Sequence, residues 1–222
     1  MSTGIEVELK YLARSDAPLA FLATTERLGS ARLGPPAVVD ELDSYLDTPD
    51  LRLAAARWAC RLRTRSDRTI LSLKGPARHA PGDVAHRRPE LEGPADAALS
   101  GHRASELPAS AARDLLVELS GDEPLVERLA LAQRRTERQA EGGLDGAGVA
   151  RGVLTLDEVS VLHRERDVGR LRVVELELDL PSGGGERFVT EMAAAFSALP
   201  DLEPDPLSKL EHALGMLRAI EP

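Results

Sequence analysis

At 222 residues, with 42% hydrophobic and 29% charged side chains, the chain has the make-up of a globular protein of one domain, or one domain with a helical insertion. A net charge of −9 argues against a protein that coats nucleic acid, although it leaves room for a local basic pocket. A single cysteine, Cys60, excludes an intrachain disulfide and a cysteine-based zinc cluster, and no apolar run is long enough to span a bilayer, so the expected setting is cytoplasmic with no membrane partner.

In chain order, residues 5–12 alternate apolar and charged side chains, the pattern of a half-buried strand. Gly34-Pro35-Pro36 breaks the chain before a second strand over residues 37–46, and Thr48-Pro49-Asp50 reads as a turn. Residues 57–65 and 69–74 read as a hairpin joined at Ser66-Asp67-Arg68, and residues 87–92 as another strand. Helical spacing at Leu107, Ala111, Leu115 and Leu119 predicts a helix over 105–119 capped by Ser105, within a helical insertion at about 94–122. Strands are predicted over 125–138, 153–162 and 171–180, with a glycine-rich hairpin loop at 142–152. Amphipathic helices at 188–199 and 208–220 form a C-terminal helical segment of about 186–220. About eight strands with few helices predict a mainly β barrel or sandwich, and no Gly-rich phosphate loop occurs.

The chemistry lies in the alternation, because residues i, i+2 and i+4 of a strand share a face. Glu6, Glu8 and Lys10 oppose Val7 and Leu9; Arg61 and Arg63 oppose Cys60 and Leu62; Ser72 and Lys74 oppose Leu71 and Leu73. Arg88, Glu90 and Glu92 oppose Leu91, and Glu175, Glu177 and Asp179 oppose Leu176 and Leu178. One such strand alone is ordinarily a sheet with a wet face. Here the charges come in same-sign blocks, and two carboxylates about 4 Å apart repel by about 4 kcal/mol at an effective dielectric near 20. If the faces point inward, the lumen needs cations. Oxygen-only ligands suit Mg²⁺ or Mn²⁺, and arginine and lysine suit phosphate oxygens. A metal-chelated polyphosphate satisfies both sets.

These residues resemble a known family. Glu6-Val7-Glu8-Leu9-Lys10 is similar to the ExExK signature of CYTH proteins, the triphosphate tunnel metalloenzymes, and the order of later segments agrees. Tyr45-Leu46-Asp47-Thr48 resembles YxDT, Arg61-Leu62-Arg63 resembles RxR, and Arg88, Glu90 and Glu92 resemble RxExE. Lys74, Asp157, Glu175-Leu176-Glu177 and Ser208-Lys209 resemble later family positions.

The resemblance implies an eight-stranded antiparallel closed β-barrel with covering helices, a single tunnel domain over 1–222, as monomer or homodimer. It implies a metal-dependent triphosphatase acting on inorganic triphosphate or a related organic triphosphate; a cyclase on the same barrel, or a polyphosphate-binding module without turnover, are the alternatives. Metal would be held by Glu6, Glu8, Asp157, Glu175 and Glu177, with Glu90 and Glu92 joining them or orienting the basic residues. Phosphates would be held by Lys10, Arg61, Arg63, Lys74, Arg88 and Lys209, and Glu8, Lys10 and Glu177 would take part in catalysis. After the insertion, Arg134, Arg135 and Arg138 compete for one basic position; Arg135 is favoured and Arg138 is second. Trp58 and Cys60 read as packing residues, and the scattered histidines carry no metal-binding motif.

Overall fold

A computed structural model of the chain describes residues 4–66, 68–76, 86–95, 100–143, 149–179 and 185–220, with backbone only at 4–7 and 86–88. β1 (Gly4–Ala13) leads into a short helix α1 (Ala17–Thr24), then β2 (Arg27–Leu28), β3 (Ala31–Leu33) and the long β4 (Ala37–Asp47). One helical turn α2 (Arg52–Ala55) precedes β5 (Ala59–Arg65), β6 (Arg68–Lys74) and β7 (His86–Pro94). A 3₁₀ turn (Ala104–Glu106) and α3 (Ala111–Ser120) stand before the longest strands, β8 (Val126–Gly143), β9 (Val149–His163) and β10 (Arg166–Asp179). Helix α4 (Glu186–Ser197), β11 (Leu202–Pro204) and α5 (Lys209–Ile220) complete the order.

Every pairing is antiparallel. β4 pairs with β5, β5 with β6, β6 with β7, β7 with β1, β1 with β10 and β10 with β9. β9 then pairs with β8 and β8 with β4, so the eight strands return on themselves as the barrel expectation requires. The two-residue connection between β5 and β6 brings Arg65 opposite Arg68, with Ser66 at φ 56°. Residues 77–85, which read as a polar loop, lie outside the described residues, as do residues 144–148 of the expected glycine-rich loop; the rest of that expected loop is strand, residues 142–143 in β8 and 149–152 in β9.

Outward apolar faces of most strands are covered by helices, while Val38 and Leu42 of β4 stay exposed. Leu9, Leu156, Val174 and Leu176 pack under Leu22 of α1 and Met192 and Phe196 of α4. Cys60, Leu62, Leu71 and Leu73 pack under Ala112 and Leu116 of α3. A third cluster lies on the inner faces: Leu129 and Leu131 of β8, Val159 and Val161 of β9 and Val173 of β10 meet Ala213 and Leu217 of α5. Helix α5 thus seats an apolar face among inward-pointing residues, and its first residue stands next to the charged part of the same faces. Its approach is fixed by Asp205, which accepts from His212 Nε2 at 2.8 and 3.0 Å and donates its backbone N–H to the Lys10 carbonyl at 3.0 Å.

The predicted helix over 105–119 is shorter than expected. Pro108 cannot donate a helical hydrogen bond and holds Leu107 extended at ψ 155°, so the cap is Ser110, which accepts from the Arg113 N–H, and not Ser105. Sequence periodicity did not reveal α1, β2, β3, α2 or β11. Among the described residues, no helix is long and apolar enough to cross a membrane.

Candidate functional site

The inward faces of β1, β4–β10 and the start of α5 enclose a cavity of about 650 Å³. Its wall holds Lys10, Arg61, Arg63, Lys74, Arg135 and Lys209 together with Glu8, Glu90, Glu92, Glu175 and Glu177. Residues more than one hundred and fifty positions apart meet because the ring closes: Glu8 stands opposite Glu177, and Lys10 opposite Glu175, across the β1–β10 pairing. At Gly152, on the neighbouring strand, an added Cβ would lie 2.5 Å from the Glu177 carbonyl oxygen, so only glycine lets β9 run that close to β10.

Two ion-pair groups organise the wall. In the first, Asp157 is fully buried and takes Arg135 Nε and Nη2 at 2.8 and 2.9 Å. Lys209 Nζ bridges the same carboxylate at 2.5 Å and Glu175 at 2.6 Å, and Lys10 lies 3.1 Å from Glu8 and 3.8 Å from Glu175. In the second, Asp43 accepts from Arg63 Nε and Nη2 at 2.7 and 2.8 Å and from Gln133 at 2.7 Å, with Arg61 3.6 Å away. Arg61 also donates to the Ser72 hydroxyl at 3.1 Å, which lies 2.9 Å from Glu90 and 3.0 Å from Glu92; Lys74 pairs with Glu90 at 3.0 Å.

These partners set the charge states. Burial alone would raise the Asp43 carboxyl, but the Arg61 and Arg63 guanidiniums outweigh it and hold it well below the usual carboxylate range. Burial likewise opposes ionisation of Glu175, and Lys209, Lys10 and Arg135 overcome it to keep that carboxyl low. Lys209 is the mirror case: burial pulls its ammonium down, while Asp157 and Glu175 raise it further. The site is therefore fully ionised near neutral pH at these positions.

The structure brings together Glu8, Lys10, Arg61, Arg63, Lys74, Glu90, Glu92, Arg135, Glu175, Glu177 and Lys209, with Asp157 buried behind Arg135 and Lys209. Glu6 and Arg88 stand opposite each other in the β1–β7 register, and their side chains lie outside the description. Arg138 is not part of the cavity wall. It projects from the opposite face of β8 and donates to the carbonyls of Leu22, Thr25 and Gly34 at 2.6, 2.7 and 2.7 Å, tying α1 and the β3 end to the barrel. Arg135 alone of the three competing arginines enters these ion-pair groups. Asp47, in the YxDT-like segment, accepts the backbone N–H groups of Thr48, Leu53 and Ala54 at 2.8, 3.0 and 3.1 Å and so fixes α2.

Glu41, Asp43 and Gln133 escaped the sequence reading. All three are buried, and Glu41 lies 3.3 Å from Arg63 and 3.6 Å from Arg135. The signal was present as period two, Glu41-Asp43-Tyr45, but the opposite face, Asp40-Leu42-Ser44, is also largely polar, so neither face stood out as apolar.

Counted over the described wall and the carboxylates behind it, the cations Lys10, Arg61, Arg63, Lys74, Arg135 and Lys209 face the acids Glu8, Glu41, Asp43, Glu90, Glu92, Asp157, Glu175 and Glu177. With Asp179, which also lines the cavity, the acids outnumber the bases by three, so a polyanion entering alone meets net repulsion. Among the described residues no three Asp, Glu, His or Cys side chains are already gathered as a closed ligand set. Of the chain's six aromatic residues, only Tyr45 lines the cavity.

The CYTH domain family model matches residues 4–213. A comparison with curated proteins finds no match. Among solved structures, the chain is similar to a Hippeastrum protein named for adenylyl cyclase and described as having a dominant triphosphatase activity, at 18% identity, TM-score 0.63 and 95% coverage of each chain. It is also similar to a Bacillus halodurans protein designated a candidate adenylate cyclase, at 18% identity and TM-score 0.56, covering 94% of this chain and 98% of that one. A Pyrococcus horikoshii protein matches at 18% identity and TM-score 0.55, covering 95% and 98%. At these identities the likeness concerns the fold.

Proposed function

The chain belongs to the CYTH family, and from that premise we propose that it is a metal-dependent triphosphatase whose substrate is inorganic triphosphate. The observation that carries the reading is the wall of six basic side chains, five on converging strands and Lys209 at the start of α5, each held by a carboxylate, around a space of about 650 Å³. Arg61, Arg63 and Arg135 present planar donors suited to phosphate oxygens, while Lys10, Lys74 and Lys209 supply point charges.

The donor set fits a divalent cation such as Mg²⁺ or Mn²⁺. It offers oxygen ligands only, and the acids exceed the bases, so a bound cation offsets most of the excess negative charge. Mg²⁺ generally keeps several waters and uses one or two carboxylates plus substrate phosphates, so a closed ligand cage is not required. Glu8 and Glu177, opposite each other on β1 and β10, would hold it, with Glu90 and Glu92 as further ligands. Asp157 and Glu175 act instead as the counter-charges that fix Arg135 and Lys209. When bound, the ion supplies neutralisation of charge on the phosphate oxygens.

The chain's own residues do the rest by position. Phosphoryl transfer needs little covalent help from a protein, and catalysis is mainly alignment and preorganised charge. The cations are already oriented by buried partners and need not reorganise as negative charge develops. Glu177 is exposed to the cavity and stands beside Glu8, so this pair is placed to take the proton of an attacking water. Lys10, 3.1 Å from Glu8, holds that carboxylate in position.

Tyr45 as the single aromatic ring on the wall among the described residues favours an inorganic substrate, since a nucleobase or other flat group finds little stacking surface there. The test is phosphate release from triphosphate by the folded protein with Mg²⁺ and with Mn²⁺. Release with either supports the reading. Tight binding without release would leave a binding module, and cyclic AMP from ATP would favour a cyclase.

A further inference from the structure

We propose that the hydroxyl of Thr155 is an additional, uncharged contact for the bound triphosphate. This inference rests on the cavity being a triphosphate site. Thr155 lies on β9, lines the cavity and is only 7% exposed. Its Oγ1 is buried and has no hydrogen-bond partner.

The surroundings explain why no protein group claims it. Its cross-strand neighbours are Glu175 on β10 and Glu137 on β8, and Asp157 is the next inward residue on its own strand. Glu175 is taken by Lys209 at 2.6 Å, Asp157 by Arg135 and Lys209, and Glu137 by Arg65 at 3.0 Å. Ser72, the comparable hydroxyl on β6, is fully engaged by Arg61, Glu90 and Glu92. A buried hydroxyl without a partner forfeits its hydrogen bonds to water, and such groups in native proteins generally await a ligand or water.

The position selects among ligands. Lys10, Arg135 and Lys209 all converge beside Glu175, so negative charge brought into the cavity settles close to Thr155. An O–H donor there meets a phosphate oxygen and adds an orienting hydrogen bond without changing the charge balance. Valine in its place keeps the shape and removes the donor.

The experiment compares wild type, Thr155→Val and Thr155→Ser, measuring triphosphate binding by calorimetry in Mg²⁺ and the steady-state kinetics of phosphate release. Thr155→Val should weaken binding and raise KM about tenfold, the loss expected of one hydrogen bond to an anionic ligand, with kcat nearly unchanged. Thr155→Ser should stay near wild type. Thermal midpoints check the fold, and Thr155→Ala replaces the valine variant if that one does not fold. Wild-type binding with an unaffected valine or alanine variant overturns this inference alone. Failure of the wild type to bind triphosphate overturns the parent reading and this one with it.

Discussion

Asp43 and Arg63 face each other across β4 and β5 and share two parallel hydrogen bonds of 2.7 and 2.8 Å. Asp43 is 1% exposed and also receives Gln133, so the pair sits on a fixed footing that aims Arg63 at the cavity. Replacing Asp43 with Asn removes the two-point partner of Arg63 and leaves it only the Glu41 carboxylate, 3.3 Å away. Breaking a buried pair and leaving a charge uncompensated costs about 3–5 kcal/mol, and the partial exposure of Arg63 together with its remaining partner Glu41 places this case at or below the lower end. Urea denaturation of Asp43→Asn should show that loss, together with a raised KM for triphosphate. An unchanged midpoint would show that solvent already screens the pair.

The same ion pairs dictate how stability responds to pH. Asp43 and Glu175 are held below their ordinary values, because cations outweigh the burial that opposes their charge. Their contribution is complete above the unfolded carboxylate range of about 4 and disappears as pH falls through the lower folded values. Lys209 has the opposite sign: raised by Asp157 and Glu175 against burial, its contribution is complete below about 10.4 and disappears as pH rises through the folded value. Thermal midpoints should therefore be flat between these limits and fall on both sides. Lys209→Met should flatten the alkaline limb; an alkaline limb as steep as the wild type's would assign it to another group.

Much of this site was legible because a charged inner face and an apolar outer face leave period two in the sequence. Glu8-Lys10, Arg61-Arg63 and Glu175-Glu177 were found that way. β4 was read as a strand, but its inward acids Glu41 and Asp43 were not singled out, because the outer face carries Asp40 and Ser44 beside Leu42 and so neither face reads as apolar; in the fold Val38 and Leu42 are 53% and 41% exposed. The phase of β8 was ambiguous for a related reason. Arg135 and Arg138 are both buried, on opposite faces, and Arg138 is buried by α1 and the β3 end, elements whose short sequences carry no periodicity of their own.

Arg138 gives a prediction that separates architecture from chemistry. Its guanidinium satisfies three main-chain carbonyls at 2.6 to 2.7 Å, and each would lose a charge-assisted donor in Arg138→Ala. Hydrogen bonds to charged groups contribute about 1.5–3 kcal/mol each before relaxation, so a loss of at least ~2 kcal/mol is expected. KM for triphosphate should stay within about twofold, because the side chain lies on the far side of β8. A large rise in KM with intact stability would put Arg138 back among the substrate contacts.

Substrate choice follows from the wall's composition. Triphosphate presents every oxygen to the cations, whereas ATP adds a base and ribose that gain little beyond Tyr45. The expected kcat/KM for triphosphate exceeds that for ATP by about tenfold or more, equivalent to roughly 1.4 kcal/mol. Tyr45→Leu should lower the two values together if the ring only packs. A selective loss toward ATP would reveal stacking and weaken the case for an inorganic substrate.

The excess of carboxylates over cations makes a less obvious prediction. With a chelator present, the wild-type cavity should bind triphosphate poorly, since the ligand meets net negative charge. Changing both Glu8 and Glu177 to Gln removes two acids and brings the described groups from nine acids to seven, against six cations. The double variant should then bind triphosphate more tightly than wild type in the absence of metal, while phosphate release in Mg²⁺ falls by at least about a hundredfold. These opposite movements distinguish loss of metal ligands and base from simple damage, which would weaken binding and turnover together. If metal-free binding weakens in the double variant, Glu8 and Glu177 serve to orient Lys10 and its neighbours, and the cation must be held elsewhere.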